Sequence, residues 1–287
     1  MTNPGPGERA TKNEKREHAR ELARQMRAEE AARKRRRRWI TQGSVILGTL
    51  AVVTVITLVV ITGTKSAAGP LNMLSDGLLV TGDGTTTSAT TTAALAADAD
   101  PVATTPATDG TVSIVTYVDY LCPYCGQFET TNAEQITAMV TAGTATLEVH
   151  PLSILDNASL NTEYSTRSAN AAACVANYAP DSFLAVNTAL FASQPEENTT
   201  GLSDDDLIAL VASAGAGSDE IAGCITGGTF EDWVAAETQR ALDGPLPNTD
   251  VDAVTGTPTV LVNGELYSGS LTDAAAFAEF VSTIAAS

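Results

Sequence analysis

Two cysteines three positions apart, Cys122 and Cys125, are the residues of this 287-residue chain best suited to covalent chemistry. They enclose Pro123 and Tyr124 in the stretch DYLCPYCGQFE. A first cysteine at the start of a helix lies near unpaired backbone N–H groups and the positive end of the helix dipole, and both favour the thiolate. The spacing also lets the two sulfurs close a disulfide. The pattern therefore predicts redox chemistry, with Cys122 as an exposed attacking thiol and Cys125 as a shielded resolving thiol.

Two other uses of a close cysteine pair remain open. A disulfide between neighbours on a helix closes a tight ring that is poorly suited to stapling a fold, so a purely structural bond is less favoured. A zinc site needs a second close pair of ligands, and the remaining cysteines, Cys174 and Cys224, do not form one. We therefore expect no metal site, and the chain carries no recognisable cofactor motif.

An acidic residue also lies close to the pair. Asp119 precedes the first cysteine by three positions. A carboxylate at this distance is a candidate proton shuttle for the thiols. A helix-capping role or a surface role is an equally good interpretation of the same residue.

The segments around the pair alternate as in an α/β domain. The β-branched residues of 111–118 predict a buried strand, and a helix and a second strand follow. Helical patterns then fill about 154–245. Asn263-Gly264 predicts a hairpin, and an apolar stripe after it predicts a last helix packed on a sheet. Residues 111–287 thus form an α/β domain with a helical insertion.

Two capping-box patterns mark helix starts inside this insertion. The first combines Ser203 with Asp206, and the second combines Thr229 with Asp232. We expect one helix to begin at each of them.

Charge is unevenly distributed along the chain. Residues 1–38 hold 13 Lys and Arg against 6 Asp and Glu, whereas the other 249 residues hold 3 basic and 28 acidic groups. The acidic part would repel phosphate, which argues against nucleic-acid binding. The first 38 residues are interpreted as a basic cytoplasmic arm.

An uncharged apolar stretch follows this arm at residues 39–64. About 20 such residues cross the hydrocarbon core, and the basic residues at its N-terminal end keep that end in the cytoplasm. We predict a single-pass transmembrane helix with the catalytic domain outside the cell membrane. A cleaved signal peptide is the competing interpretation.

Residues 65–110 contain few large apolar side chains and much Thr, Ala, Gly and Asp. This composition predicts a flexible extracytoplasmic linker. Asp76 to Val80 is the exception, because it has the character of an edge strand of the next domain.

The cysteine pair, the helix after it and the stretch VTGTPTVLVNG at Val254–Gly264 resemble the thioredoxin superfamily. The resemblance implies that Pro258 forms a cis-proline facing the active-site disulfide, with Thr257, Pro123 and Tyr124 in the substrate groove. The cis-proline comes 133 residues after the second cysteine, and the inserted helices are typical of DsbA-like thiol oxidases. The chain is most similar to the membrane-anchored actinobacterial members.

The resemblance also implies a structural disulfide between Cys174 and Cys224 in the helical insertion. Such a bond would stabilise the fold by about 2–4 kcal/mol. Two departures from the family affect what can be carried over. The dipeptide is Pro-Tyr rather than the better-known Pro-His, and the buried acid that many members hold in the preceding strand falls near Thr116, which cannot ionise.

The expected function is that of a membrane-anchored, extracytoplasmic thiol:disulfide oxidoreductase. It would act as a monomer that introduces disulfides into secreted, unfolded polypeptides with cysteine pairs. The resemblance implies a membrane re-oxidising partner of the DsbB or vitamin K epoxide reductase type. A thiol reductase or isomerase with the same residues is the first alternative, and a non-enzymatic thioredoxin-like binding module is the second.

Overall fold

A computed structural model describes residues 67–286 of the chain. The predicted cytoplasmic arm and transmembrane helix, residues 1–38 and 39–64, lie outside the described residues. Within 67–286, none of the helices combines the length and the apolar character needed to cross a membrane.

A six-stranded mixed sheet forms the centre of the domain. Its strands are β1 (Leu78–Gly82), β2 (Thr87–Ala89), β3 (Val112–Val118), β4 (Ala145–Pro151), β5 (Thr259–Val262) and β6 (Glu265–Leu266). Their order across the sheet is β2-β1-β4-β3-β5-β6. Only the β3–β4 pair is parallel among these strands, as expected for a strand–helix–strand unit. The helix after β3 is therefore the crossover that returns the chain to the sheet.

Seven α-helices complete the described part of the chain. They are α1 (Pro123–Thr141), α2 (Tyr164–Tyr178), α3 (Phe183–Ala192), α4 (Asp204–Val211), α5 (Asp219–Thr226), α6 (Glu231–Asp243) and α7 (Ala274–Ala285). In the sequence, helices α2 to α6 all come between β4 and β5. The predicted α/β fold with inserted helices is therefore confirmed, and within the predicted 154–245 a 3₁₀ turn lies at Asp156–Ala158 and the α-helices lie at 164–243.

The flexible linker predicted for 65–110 is wrong where the structure describes it. This segment supplies β1 and β2, and Met73, Leu78 and Leu95 are at most 2% exposed. Leu78 pairs with Val149 of β4 in an antiparallel ladder. A few large apolar side chains suffice here, because they add to a core and a sheet that the rest of the domain provides.

The predicted edge strand at 76–80 also needs correction. The strand lies at 78–82 and is internal, because β2 pairs with its outer side through Val80 and Ala89. Asp76 just before it is held by the helical insertion, since it accepts bonds of 2.6 and 2.7 Å from the guanidinium of Arg240 and one from the Trp233 indole. The start of the described chain is thus part of the domain.

The C-terminal elements form as their residues predict. Asn263 and Gly264 both have positive φ, at 47° and 85°, as the tightest hairpins require. Phe277 of α7 is fully buried and packs edge-to-face on Phe128 of α1, with 5.2 Å between the ring centroids. These contacts pack α7 against α1, the helix that begins at the cysteine pair.

A helix begins at or next to each of the two predicted starts, but only one of them has the predicted capping box. Ser203 and Asp206 make the reciprocal capping box at the start of α4. At α6 the N-cap is Phe230 without a side-chain cap, because the Asn170 side chain of α2 accepts the Phe230 N–H at 2.8 Å. A tertiary contact therefore replaces the local one.

A disulfide joins two helices of the insertion. Cys174 in α2 and Cys224 in α5 are bonded, with their Cα atoms 5.9 Å apart. Both residues are buried, at 0% and 4% exposure. This is the pairing that the resemblance implied. The bond closes a loop within the insertion, and neither of its cysteines belongs to the Cys122–Cys125 motif.

Candidate active site

The cysteine pair lies where β3 ends and α1 begins. Cys122 is the N-cap of α1, and Pro123 takes the first helical position, where its fixed φ suits a helix and its missing N–H costs nothing. The turn before it is closed by a bond of 3.0 Å from the Cys122 N–H to the Asp119 carbonyl. The local sequence thus places the first sulfur at the N-terminus of a 19-residue helix.

Antiparallel pairing of β3 and β5 brings the second motif to the same place. Tyr117 pairs with Thr259, so the residues that follow β3 and those that precede β5 converge at one end of the sheet. The Thr257–Pro258 peptide is cis, as the resemblance implied. The Cys122 thiol donates a hydrogen bond of 3.2 Å to the Thr257 carbonyl. The two motifs therefore meet although 135 residues separate Cys122 from Thr257.

Both active-site cysteines are in the dithiol form and buried. Cys122 is 4% exposed and Cys125 is 1% exposed. The expectation of an exposed attacking thiol is therefore wrong, because the Thr257 peptide lies directly against the Cys122 sulfur. The exposed side chains of the motif are the two between the cysteines, Pro123 and Tyr124, and Tyr124 is 60% exposed.

The environment distinguishes the two thiols. The Cys125 thiol, which bonds to the Cys122 sulfur, lowers the Cys122 pKa to about 6 against the opposing effect of burial. The Thr257 side chain and the N–H groups of Cys125 and Tyr124 act in the same direction. Burial raises the pKa of Cys125 well above its usual range, and the neighbouring Cys122 raises it further. Of the two thiols, Cys122 therefore ionises more readily, and Cys125 keeps its proton.

Asp119 is completely buried, so the surface role considered for it is excluded. Its carboxylate accepts bonds from the N–H groups of Leu121, Ile154 and Leu155 and from the Ser165 hydroxyl, at 2.8 to 2.9 Å. Burial raises the pKa of Asp119 to about 7, although these donors lower it. The carboxylate joins the active-site turn to the loop before α2, but it caps neither α1 nor α2, whose N-cap residues make no side-chain capping bond.

Three further polar residues, none of them predicted from the sequence, lie around the cysteine pair. Glu129, one turn after Cys125 on α1, shares a cavity of about 10 Å³ with that cysteine and with Thr116. Such a volume suits about one water molecule. Asn187 and Gln194, from the helical insertion, bond to Tyr120 and to the backbone of the turn.

Only the position of Glu129 had a signal in the sequence, because residues four apart on a helix share a face. The other two come from an element whose packing the sequence did not reveal. An acid therefore does lie near the resolving cysteine, although the strand position at Thr116 cannot ionise. Among residues 67–286, no group of three or more His, Cys, Asp or Glu is arranged to hold a metal ion.

Comparison with protein families identifies one match over more than half of the chain. The sequence profile of the thioredoxin family matches residues 104–282, which include both motifs and the insertion between them. Comparison with curated protein sequences gives no match.

Solved structures give further similarities. The reduced form of the disulfide bond oxidoreductase DsbG from Mycobacterium tuberculosis is 28% identical, with a TM-score of 0.55 over 74% of this chain and 88% of that one. Oxidised DsbA from the same organism is also 28% identical, with a TM-score of 0.54 over 74% and 93% of the two chains. BdbD from Bacillus subtilis, at 17% identity and a TM-score of 0.53 over 78% and 100%, shares the fold.

The pKa difference predicts a distinctive pH profile for alkylation of the reduced protein. Cys122 should react with iodoacetamide with a midpoint near pH 6, because only the thiolate is nucleophilic and its pKa is about 6. Mass spectrometry of peptides after brief alkylation gives the modified fraction at each cysteine separately. A Cys122 midpoint near 8.5, the usual value for a free thiol, would contradict the assignment.

Proposed function

We propose that this chain, which belongs to the thioredoxin family and is a DsbA-like thiol:disulfide oxidoreductase, introduces disulfides into secreted polypeptides. The observation that carries the proposal is the contact between the Cys122 sulfur and the Thr257–Pro258 peptide. At this position the sulfur lies between the N–H groups of α1, which stabilise its anion, and the extended backbone that leads into β5. Cys122, Cys125 and Pro258 are the catalytic residues of the proposal.

The proposed cycle begins with the Cys122–Cys125 disulfide. A substrate thiolate attacks the Cys122 sulfur, the bond between the two enzyme sulfurs breaks, and Cys125 leaves as a thiolate that takes up a proton. The substrate's second thiolate then attacks its own sulfur in the mixed disulfide, and Cys122 leaves as a thiolate. Two electrons pass to the enzyme pair. The low pKa of Cys122 makes it a good leaving group, which favours this direction.

The groove around the sulfur suits an extended peptide. Pro123 and Tyr124 provide an exposed apolar surface on one side of Cys122, and Thr257 lies on the other. Residues next to a proline at the start of β5 can pair with a substrate backbone, in the manner of an added strand. Because Cys122 itself is buried, the proposal requires a substrate segment thin enough to reach it along this groove.

Protons must reach and leave the resolving thiol during the cycle. Asp119 was the candidate shuttle, but its two oxygens accept four bonds from the turn and its surroundings. Those bonds favour a structural role for this residue. We assign the exchange with Cys125 to Glu129, because the two residues share a cavity and the bonds that Glu129 accepts, from the Asn187 amide and the Thr188 hydroxyl, go to one oxygen only, Oε1.

The location and partners are part of the proposal. The apolar stretch 39–64 would anchor the chain in the cell membrane with the domain outside, where disulfides persist. Each turnover leaves the enzyme reduced, so a membrane partner of the DsbB or vitamin K epoxide reductase type would re-oxidise it. The domain would act as a monomer.

Surface charge narrows the class of substrate. Residues 67–286 carry 28 acidic groups and two basic ones, Arg167 and Arg240. Both arginines form ion pairs, with Asp204 at 2.8 Å and with Asp76 at 2.6 Å. A field of this sign opposes the approach of a thiolate anion and attracts cations. We therefore propose that preferred substrates carry Lys or Arg beside their cysteines.

Replacement of the resolving cysteine tests the enzymatic role. In Cys125→Ala, a mixed disulfide on Cys122 has no internal thiol to release it, so secreted polypeptides should accumulate on the enzyme. Non-reducing electrophoresis and mass spectrometry of the purified full chain identify them. Cys122→Ala is the matched control and should trap none. Equal amounts on both variants would contradict the proposal and favour a binding module.

Two dithiol peptides that differ only in flanking Lys or Glu test the substrate class. The Lys peptide should be oxidised faster, by on the order of tenfold at low salt, because the acidic domain steers it. At about 1 M salt the Debye length falls to about 3 Å, so the ratio should approach one. Oxidation by a neutral small disulfide corrects for the peptides' intrinsic reactivity. A corrected ratio of the two oxidation rates that does not change with salt concentration would contradict the proposal.

A further inference from the structure

The structure assigns a positioning role in the thiol chemistry to Gln194, a residue of the helical insertion whose side-chain amide holds the turn that carries Cys122. This inference rests on the proposed function only in taking Cys122 as the reactive thiol. Gln194 touches neither sulfur in the described contacts. It would act through the backbone between β3 and α1.

Both hydrogens of one amide group are used on this turn. The Gln194 Nε2 donates to the Tyr120 carbonyl at 3.0 Å and to the Cys122 carbonyl at 2.9 Å. The Cys122 carbonyl also accepts the Gly126 N–H at 3.1 Å, the first hydrogen bond along α1. A single side chain thus connects the turn before the helix with the first helical turn.

Gly126 leaves the space that this amide occupies. A Cβ atom at position 126 would lie 2.3 Å from the Gln194 Oε1, far inside van der Waals contact. The φ of Gly126 is not positive, so its backbone does not require glycine. Glycine inside a helix is unfavourable relative to alanine. The packing of Gln194, and not the stability of α1, therefore accounts for glycine at position 126.

Gln194 belongs to a face of the insertion that is directed at the same turn. Asn187, Phe191 and Gln194 follow the i, i+4, i+7 spacing of one helix side, with Gln194 just beyond the end of α3. The Tyr120 hydroxyl donates to the Asn187 Oδ1 at 3.0 Å, and its ring lies 5.0 Å from the Phe191 ring. Asn187, Phe191 and Gln194 therefore all contact Tyr120, and Gln194 also holds the carbonyl of Cys122.

The turn controls the groups that stabilise the thiolate. The N–H groups of Tyr124 and Cys125 lower the Cys122 pKa, and they belong to the helical turn whose first carbonyl Gln194 holds. Without the amide, the Cys122 carbonyl keeps only its bond from the Gly126 N–H, so the turn is held less firmly near the sulfur. The loss of part of one or two hydrogen bonds to an anion corresponds to a rise of about half to one pH unit.

The variant Gln194→Met removes both donors and keeps the length of the side chain. Its matched control is Gln135→Met, since the Gln135 amide also makes two bonds, to the Asn132 side chain and to the Ala274 carbonyl, and joins α1 to the start of α7. The Cys122 midpoint, read from thiolate absorbance of the reduced protein against pH, should rise by about half to one unit in Gln194→Met only. Urea unfolding of both variants measures any loss of stability.

Gly126→Ala provides a second route to the same result. Its added Cβ should displace the Gln194 amide while glutamine is still present, and the Cys122 midpoint should rise as in Gln194→Met. Because alanine favours the helix, this variant tests the inference even where Gln194→Met does not fold. The double variant should shift the midpoint no further than either single change, since both break one contact.

The outcomes separate this inference from the proposed function. An ordinary thiol midpoint in the unaltered protein would overturn the assignment of Cys122 itself. A low midpoint that stays the same in Gln194→Met and Gly126→Ala would overturn the role of Gln194 alone. Equal shifts in Gln194→Met and Gln135→Met would also overturn it, because a general loosening of α1 would then explain them.

Discussion

The stabilisation of one sulfur anion is the constraint on which the rest of this structure depends. The Cys122 sulfur lies between the first N–H groups of α1 and the peptide before Pro258. Neither neighbour could be there without the sheet, because α1 starts where β3 ends and the Thr257–Pro258 peptide precedes β5, the antiparallel partner of β3. Two short strands thus define the position of the reactive atom.

The helical insertion has a second role besides enlarging the domain. Its disulfide between α2 and α5 holds the insertion together. From that scaffold α3 and the residues just after it direct Asn187, Phe191 and Gln194 at the turn before the sulfur. Asp119 ties the same turn to the loop before α2. The active-site turn is therefore held by the insertion as well as by the sheet that carries it.

Local patterns in the sequence predicted the features that local physics decides. The Cys-Pro-Tyr-Cys motif placed a helix start correctly because proline suits its first turn, and Asn263-Gly264 predicted a hairpin because both residues take positive φ. The family resemblance supplied the cis-proline and the disulfide. The strands before and after α1 and the hairpin strands lie where the sequence predicted them, whereas β2 was not predicted and the inserted helices were predicted only as one block.

Features that depend on tertiary contacts were missed or wrong. Composition alone suggested a flexible linker, yet residues such as Leu78 add to a core built elsewhere. The Thr229 cap did not form, because Asn170 accepts the backbone N–H of Phe230, which lies 60 residues away in the sequence. The burial of Cys122 depends on the Thr257 peptide, and the clamp by Gln194 depends on how α3 packs. No spacing rule connects positions so far apart.

The reduction potential of the Cys122–Cys125 pair tests the account most directly. A redox titration of the purified protein, with the Cys174–Cys224 bond intact, measures how far the stabilised thiolate favours the dithiol form. Our account predicts a potential well above that of thioredoxin, about −270 mV, since a pair that favours its reduced form oxidises others. A value at or below about −270 mV would contradict it, because the same residues would then serve a reductase.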